Sequence, residues 1–445
     1  MSDTWNYLLK EVIEPGLCTQ CGSCVGLAEG KLAFKEKGSV PTPHLVRSDN
    51  DLPQACRIAC PARHCSFPDL NRSTFGDLPI NWLSGVIIKS RIGFSKSETI
   101  RRGAASGGAI TSILLYLLKS RKICGAICLK MGADVPYLAK PIIARTPEEI
   151  LACSQSVYSV SPVNTILSEI KEDDGPLAYV GLPDQVASIR KLQKEGHPSV
   201  KNIRYIIGPY VGTQMYFESI RSFLRSNGVD SENEIVDLKY RSGEWPGKLR
   251  IELKDGRILQ ADKFYYNYLI PFYLTSSSIQ AVDFSNELTD ISVGDAWSPK
   301  YEKEKKGFSV ILSRSEVGES IISNMLNQGL LSAEEISIDE ALDMHGHMID
   351  FKKRGSFLRN KRKSIQPFYG YEPVEISLAR KTVERILQII FFIGRTNIAR
   401  RTVEKIPLKI VGSCFNVIRK SWKALSKPTK RKGLNTIKFK IYDDQ

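Results

Sequence analysis

The sequence predicts a mixed α/β (α+β) protein in several parts: a cysteine-bearing, loop-rich N-terminal segment, an α/β body and a basic helical C-terminal tail. Three observations carry this expectation. Six of the ten cysteines fall before residue 66. From about residue 84 to about 315, short apolar runs alternate with helical patterns. All of the net positive charge lies in the last fifth of the chain: residues 351–445 carry 24 Lys and Arg against 6 Asp and Glu, while the whole chain is only +15. At 445 residues the chain is too long for one ordinary core. Parts at 1–80, 81–200, 201–350 and 351–445 are expected.

Cys18, Cys21 and Cys24 stand in the run Cys-Thr-Gln-Cys-Gly-Ser-Cys, the spacing by which a short loop wraps an iron–sulfur cube. A bacterial-type loop would place its fourth cysteine, followed by proline, where this chain has Ala28. The fourth ligand must come from elsewhere, and the knot Cys56-Arg-Ile-Ala-Cys60-Pro61-Ala-Arg-His-Cys65 offers candidates. Cys60, which precedes proline, is the first choice and Cys56 the second. Zinc is normally gripped by two ligand pairs on separate knuckles, which three cysteines on one tight loop match poorly. Disulfides need an oxidising compartment, yet no basic, apolar leader precedes Cys18, so a cytoplasmic location is expected. Two cubane clusters would require roughly eight thiolates, so six predict a single [4Fe-4S] cluster in a ferredoxin-like segment. In that segment the metal centre is expected to substitute for an apolar core.

The body reads as strands at Gly85-Val-Ile-Ile, Ile123–Leu129, Pro176–Val180 and Asn202–Gly208, with helices over 109–118 and 185–192. Lys248–Leu253, Asp255-Gly256 and Arg257-Ile-Leu read as a hairpin. Three loops could carry a ligand. The run from Arg101 and Arg102 through Ser106, Gly107 and Gly108 enters a helix, where small residues and free N–H groups suit a phosphate, or simply start that helix. Gly181-Leu-Pro-Asp184-Gln185 joins a strand to a helix, where open α/β sheets place ligands; Asp184 could equally be a helix cap. Asp290–Trp297 leaves a strand with a carboxylate and an indole, for packing or ring stacking. Cys124, Cys128 and Cys153 read as small buried side chains, and His345-Gly-His347 as structural or solvent-exposed rather than a metal site.

The tail sets Lys352-Lys-Arg, Lys361-Arg-Lys and Lys430-Arg-Lys among apolar stretches. That pattern suits an anionic membrane face, an acidic partner protein or a plain solvated appendage. Nucleic acid is not expected, since no nucleic-acid fold accompanies the charge.

Taken in order, the cysteine motifs, Ser106-Gly-Gly-Ala-Ile-Thr, Ser156-Val-Tyr158, Gly181-Leu-Pro-x-Gln185, Gly243-x-Trp245-Pro-Gly247 and Asp290-Ile-Ser-Val-Gly-Asp-Ala-Trp resemble the beta subunit of coenzyme F420 hydrogenase/dehydrogenase. Plant 7-hydroxymethyl chlorophyll a reductase belongs to the same group. The resemblance covers roughly residues 15–330. It implies FAD beside iron–sulfur clusters, with hydride exchange to a deazaflavin such as coenzyme F420 or to another substrate. It further implies that Arg101, Arg102 and Ser106–Gly108 hold the flavin phosphates and that Ser156, Tyr158 and Gly181–Gln185 approach the ring or substrate. By chemical type alone, Tyr158 and Asp184 are the proton-donor candidates. Ferredoxin or a partner subunit would feed the cluster, and oligomers would be in keeping with this. Members with a second cluster carry cysteines where this chain has Asp184, Val211, Ser278 and Ala281. The N-terminal cluster alone is therefore expected. The rival readings are a non-catalytic electron-transfer subunit and a degenerate member with a scaffold role.

Overall fold

The protein, seen in a computed structural model, is described over residues 3–37, 40–47, 51–425 and 436–442. Its centre is an eight-stranded mixed sheet in the spatial order Leu331–Glu335, Lys89–Ser95, Ser309–Ser313, Ile291–Asp295, Ile203–Pro209, Leu177–Val180, Gly125–Met131 and Ala139–Ala144. The four strands from Ile291–Asp295 to Gly125–Met131 run parallel, and the outer strands are antiparallel. The parallel strands are near-continuous apolar runs because both faces are covered. Alternate residues feed different cores. Ile127, Leu177, Tyr179 and Ile206 join one cluster; Ala126, Cys128, Ala178 and Ile207 join the other. A period of two places those clusters on opposite faces of the sheet. Helix Pro183–Lys194 covers the first face; Ala109–Lys119 and Glu316–Asn327 cover the second.

Several expectations change. The apolar run at Gly85 is the lead-in rather than the strand, which begins at Lys89 and buries Arg91 in a two-pronged ion pair with Glu319 at 2.7 Å. The hairpin at 248–262 is present, but with Ile235–Ser242 it forms a separate three-stranded sheet with its own core. The central sheet takes strands from both sides of residue 200, so that boundary does not divide it. Cys128 is buried, but Cys124 is exposed and Cys153 only half-buried.

The N-terminal segment has a core after all. Trp5, Leu8, Leu27, Leu32, Phe67 and Leu70 pack in one cluster with Val186, Ile189 and Leu192 of helix Pro183–Lys194. A hairpin, Leu32–Lys37 with Val40–Leu45, completes this segment.

The tail does not begin at 351. Lys352, Lys353 and Arg354, which read as a surface basic run, are 1%, 0% and 6% exposed, which puts them inside the protein. Lys353 is bonded to Glu287 and to the Tyr371 hydroxyl, the latter at 2.7 Å. The strand Tyr371–Pro373 pairs with Phe439–Ile441. The helical expectation beyond 376 holds in Leu378–Gly394, Asn397–Glu404 and Leu408–Leu425. Lys430-Arg-Lys lies outside the described residues. No helix among the described residues is long and apolar enough to cross a membrane.

Candidate functional site

The two cysteine segments meet on helix Pro183–Lys194. Gly22, at φ +97°, turns the first loop against Pro162 and Thr165, where a Cβ would clash with their backbone at 2.9 and 2.8 Å. The Asn164 amide donates to Cys21 O at 3.0 Å, and Ser23 Oγ meets Ser188 Oγ at 2.5 Å. Lys191 Nζ donates to Cys60 O and His64 O, both at 2.7 Å, tying the second knot to the same helix. Cys18, Cys21, Cys24 and Cys60 all line one small cavity walled by Leu8, Val12, Ile13, Phe34 and Pro43. Cys56 does not line it. Its thiol is buried and directed at Cys24 O, 3.4 Å away.

Burial favours the neutral form of Cys18, Cys24 and Cys60. It pushes Cys60 up to about 11, with the charge of Cys21 adding to the rise and Lys191 opposing it, and it pushes Cys18 and Cys24 higher still. Thiolates would persist here only beside a strong local positive charge, which a metal centre provides. Among the described residues no three His, Cys, Asp or Glu side chains are arranged to hold a metal ion. A cube asks for something different, because it spreads its four thiolates over four irons. The donor set fits that requirement: four thiols, Cys21 buried and Cys18, Cys24 and Cys60 half-buried, none in a disulfide, around one cavity.

The remaining candidates gather at the carboxyl ends of the parallel strands, where open α/β sheets bind ligands. The glycine-rich loop follows strand Lys89–Ser95, and its own polar groups are engaged. Ser106 Oγ donates to Phe308 O at 2.6 Å, Gly107 N donates to Ser309 Oγ at 3.0 Å, and Gly107 O accepts from Ser95 N at 2.7 Å. Arg101 lies 3.6 Å over the Phe94 ring and donates to Gly307 O, while Arg102 pairs with Glu98 in solvent. Gly108, at φ +78°, is the residue from which helix Ala109–Lys119 starts. Gln155 Nε2 reaches Gly103 O at 3.2 Å, tying to this loop the segment that carries the half-buried Ser156 and Tyr158, and the Tyr158 ring itself lies 5.6 Å from Tyr240. Gln185 is spent on the backbone: its Oε1 accepts from Leu182 N at 2.8 Å, and its Nε2 donates to Ser161 O at 2.9 Å. Gly181 O accepts from Asn286.

One constellation is only partly legible in the sequence. Strand Ile291–Asp295 delivers Asp295, and the three-stranded sheet delivers Arg241, whose Nη1 bonds Asp295 Oδ2 at 2.8 Å. Lys263 Nζ stands 3.6 Å from the same oxygen and 4.6 Å over the Trp297 ring. Trp245 and Trp297 have ring centroids 4.6 Å apart, and Tyr158 also faces Arg241. Burial alone would raise the Asp295 carboxyl, but Arg241 and Lys263 outweigh it and hold the group below the usual range. Arg241 Nη2 and Trp245 Nε1 are buried donors with no partner among the described residues, the arrangement expected where a ligand supplies acceptors. Trp245 and Trp297 lie in motifs that the sequence displays. Arg241 and Lys263 give no signal beyond a cation in an otherwise amphipathic strand and one following a strand.

Asp184 is the second residue of helix Pro183–Lys194, whose N-cap position is Leu182. Burial lifts its carboxyl to about 6, Lys352 opposing and Asp283 adding to the rise. Burial also depresses Lys352 to about 7, partly offset by Asp184, and its ammonium donates to Ser278 O at 2.8 Å. Nearby, Ser356 Oγ donates to Ala281 O at 2.7 Å and Val211 N to Phe284 O at 2.9 Å. The four positions without cysteine are thus bonded into the protein, three of them by backbone and one, Asp184, facing a buried ammonium.

Comparison with known proteins defines the class. Residues 92–168 match the N-terminal part of the family described as coenzyme F420 hydrogenase/dehydrogenase, beta subunit, and residues 174–339 match the C terminus of the same family. Together these matches cover more than half of the chain, and the chain belongs to that family. The two matched parts divide near residue 170 rather than 200.

Among individual relatives, a coenzyme F420-dependent sulfite reductase of Methanocaldococcus jannaschii is 25% identical over 75% of this chain and 50% of its own length. The chain therefore spans about half of that relative. A coenzyme F420 hydrogenase subunit beta of Methanococcus voltae is 27% identical over 60% of this chain and 91% of its own. The chloroplastic 7-hydroxymethyl chlorophyll a reductase of Oryza sativa is 27% identical over 45% of this chain and 41% of its own. The fold matches a chain of the F420-reducing [NiFe] hydrogenase complex from Methanosarcina barkeri with a TM-score of 0.51, 21% identity and coverage of 65% of this chain and 97% of that one.

Proposed function

We propose that this protein is an iron–sulfur flavoprotein oxidoreductase, in which one [4Fe-4S] cluster held by Cys18, Cys21, Cys24 and Cys60 serves a flavin, FAD, bound at the carboxyl edge of the sheet. The observation that carries the reading is the convergence of these four thiols on one cavity, in a segment packed on the helix that leaves that edge. A cluster moves single electrons and a flavin exchanges hydride, so the pair supplies conversion between one- and two-electron chemistry. Ser188 and Lys191 fix the two cysteine loops relative to the sheet. Arg241 Nη2 and Trp245 Nε1 offer donors to the acceptor atoms of the flavin, and Lys263 adds positive charge beside them. Ser106–Gly108 and Ser156 border the same edge, Arg101 bracing the loop through Gly307. Tyr158 faces Arg241 and is the proton carrier nearest this face; Asp184, whose carboxyl sits near 6, is the second candidate.

The organic partner is a deazaflavin such as coenzyme F420 or another hydride acceptor, in keeping with the relatives named for F420 chemistry. Ferredoxin or a partner subunit supplies electrons. Relatives that are hydrogenase subunits favour a second reading, an electron-transfer subunit whose substrate is handled elsewhere. Anaerobic titration with reduced F420 and with reduced ferredoxin, followed by the flavin absorbance, separates the two. Bleaching by reduced F420 supports hydride exchange in this chain; bleaching by ferredoxin alone supports the subunit reading.

A further inference from the structure

Helix Leu378–Gly394 turns one side into the protein and is apolar on the opposite, outward side. Arg380, Glu384, Phe391 and Gly394 recur at helical spacing and are buried, Phe391 lying 6.3 Å from Phe351 and Gly394 against the backbone of Pro271. On the other side Leu378, Ile386, Ile389, Phe392 and Ile393 are 52–80% exposed. A water-facing side of a surface helix is ordinarily polar, so an apolar outward stripe calls for a cover. Helix Leu408–Leu425 repeats the arrangement. Trp422 packs 6.3 Å from the same Phe351 ring, while Ile410, Val417 and Ile418 are 53–65% exposed on the outer side.

The exposed charges carried by these helices and the chain between them are of one sign, although Glu302 of a neighbouring element lies near Arg419. Lys381, Arg385, Arg401, Lys405, Lys409 and Lys420 are exposed. The only acidic residues between 376 and 425 are Glu384 and Glu404. Both turn inwards, Glu384 to Arg359 and Arg380, and Glu404 to Arg225. Protein interfaces are depleted of lysine, and a second copy would bring cation against cation. Large aliphatic and aromatic side chains edged by lysine and arginine, on helices that do not span, fit the boundary of an anionic bilayer.

We propose that the outward faces of Leu378–Gly394 and Leu408–Leu425 seat the protein on an anionic lipid surface, in the plane of the interface. The lysine run at 352–354 takes no part, being buried. Lipid docking would bring the redox centre to a membrane surface without any spanning segment, whatever the flavin's substrate.

The test is vesicle flotation of the full-length protein with phosphatidylcholine alone and with equal parts phosphatidylcholine and phosphatidylglycerol. The proposal expects flotation with the anionic vesicles, release in molar salt, and roughly tenfold weaker binding for Phe392→Glu and for Val417→Glu. Lys409→Gln with Lys420→Gln, which leaves every apolar contact in place, should weaken anionic binding as well; it covers the case in which a glutamate variant fails to fold. Equal flotation of wild type and variants, equal affinity for both vesicles, or no flotation at all would overturn the proposal. So would a dimer in solution that Phe392→Glu dissociates, because that would make this face a contact between copies.

Discussion

Cys56 and Cys60 sit four residues apart, and a short helix, Ala55–Ile58, decides between them. The helix turns Cys56 towards the carbonyl of Cys24, and only Cys60, beyond its end, reaches the cavity with Cys18, Cys21 and Cys24. Cys60→Ser should therefore abolish cluster assembly, whereas Cys56→Ser should retain the iron content of the wild type; colorimetric iron assay after anaerobic reconstitution reads both. The sequence leaves this choice open, since the proline after Cys60 is suggestive but the geometry of the knot is not written in its spacing. Lys352 reads from sequence as the opposite of what it is. Flanked by Lys353 and Arg354 it resembles a solvated basic run, yet Ile349, Phe351 and Phe357 around it are core residues. Lys352 donates to the Ser278 carbonyl and feels the Asp184 charge without bonding to it, so Lys352→Met, which removes that donor, should lower stability by about 1–3 kcal/mol in urea melts. The two groups also give stability a pH dependence. Asp184 is raised on folding, so its contribution is present at low pH and is lost as pH rises through about 6. Lys352 is lowered on folding, so the unfolded chain holds more protons above about 7 and stability climbs from there towards the ordinary lysine range. Denaturant midpoints across pH 5–9 should show a shallow minimum that Lys352→Met with Asp184→Asn removes.

At the scale of elements, the three-stranded sheet matters most, because it carries Arg241 to Asp295 and the Trp245 loop to Trp297. Arg241→Ala should weaken flavin retention by about 1.5–3 kcal/mol, roughly tenfold to hundredfold, if its open guanidinium nitrogen meets the flavin. Flavin fluorescence released on dilution measures this, and Arg241→Lys should recover only part of the affinity because the forked geometry is lost. The 248–262 hairpin is legible from its Asp-Gly turn; its assignment to a second sheet is not, because pairing partners distant in sequence leave no local mark. Ala139–Ala144 is hidden in the sequence for a definite reason. Pro141 reads against a strand, and it is tolerated because this strand is the outermost of its sheet. By contrast, helices 109–119 and 183–194 announce themselves through apolar spacing and small or proline-bearing entries.

The whole molecule ties the cysteine-bearing segment to the body more closely than composition suggests. Trp5, Leu8 and Phe67 share a core with Val186, Ile189 and Leu192, so the N-terminal segment is packed on the face of the central sheet. Residues 81–445 alone would expose that face and should aggregate, which expression and size-exclusion chromatography would reveal; a soluble monomer would contradict a shared core. The sequence shows six clustered cysteines, whose chemistry is local, but the apolar residues that dock them are scattered over the first 75 positions without periodicity. The central claim is one cluster and one flavin in a single chain, with no second cluster near Asp184, Val211, Ser278 and Ala281. Iron, sulfide and flavin analysis of anaerobically reconstituted full-length protein tests it most directly. About four irons, four sulfides and one flavin per chain are predicted; about eight of each inorganic element, or a colourless protein without either cofactor, would contradict it.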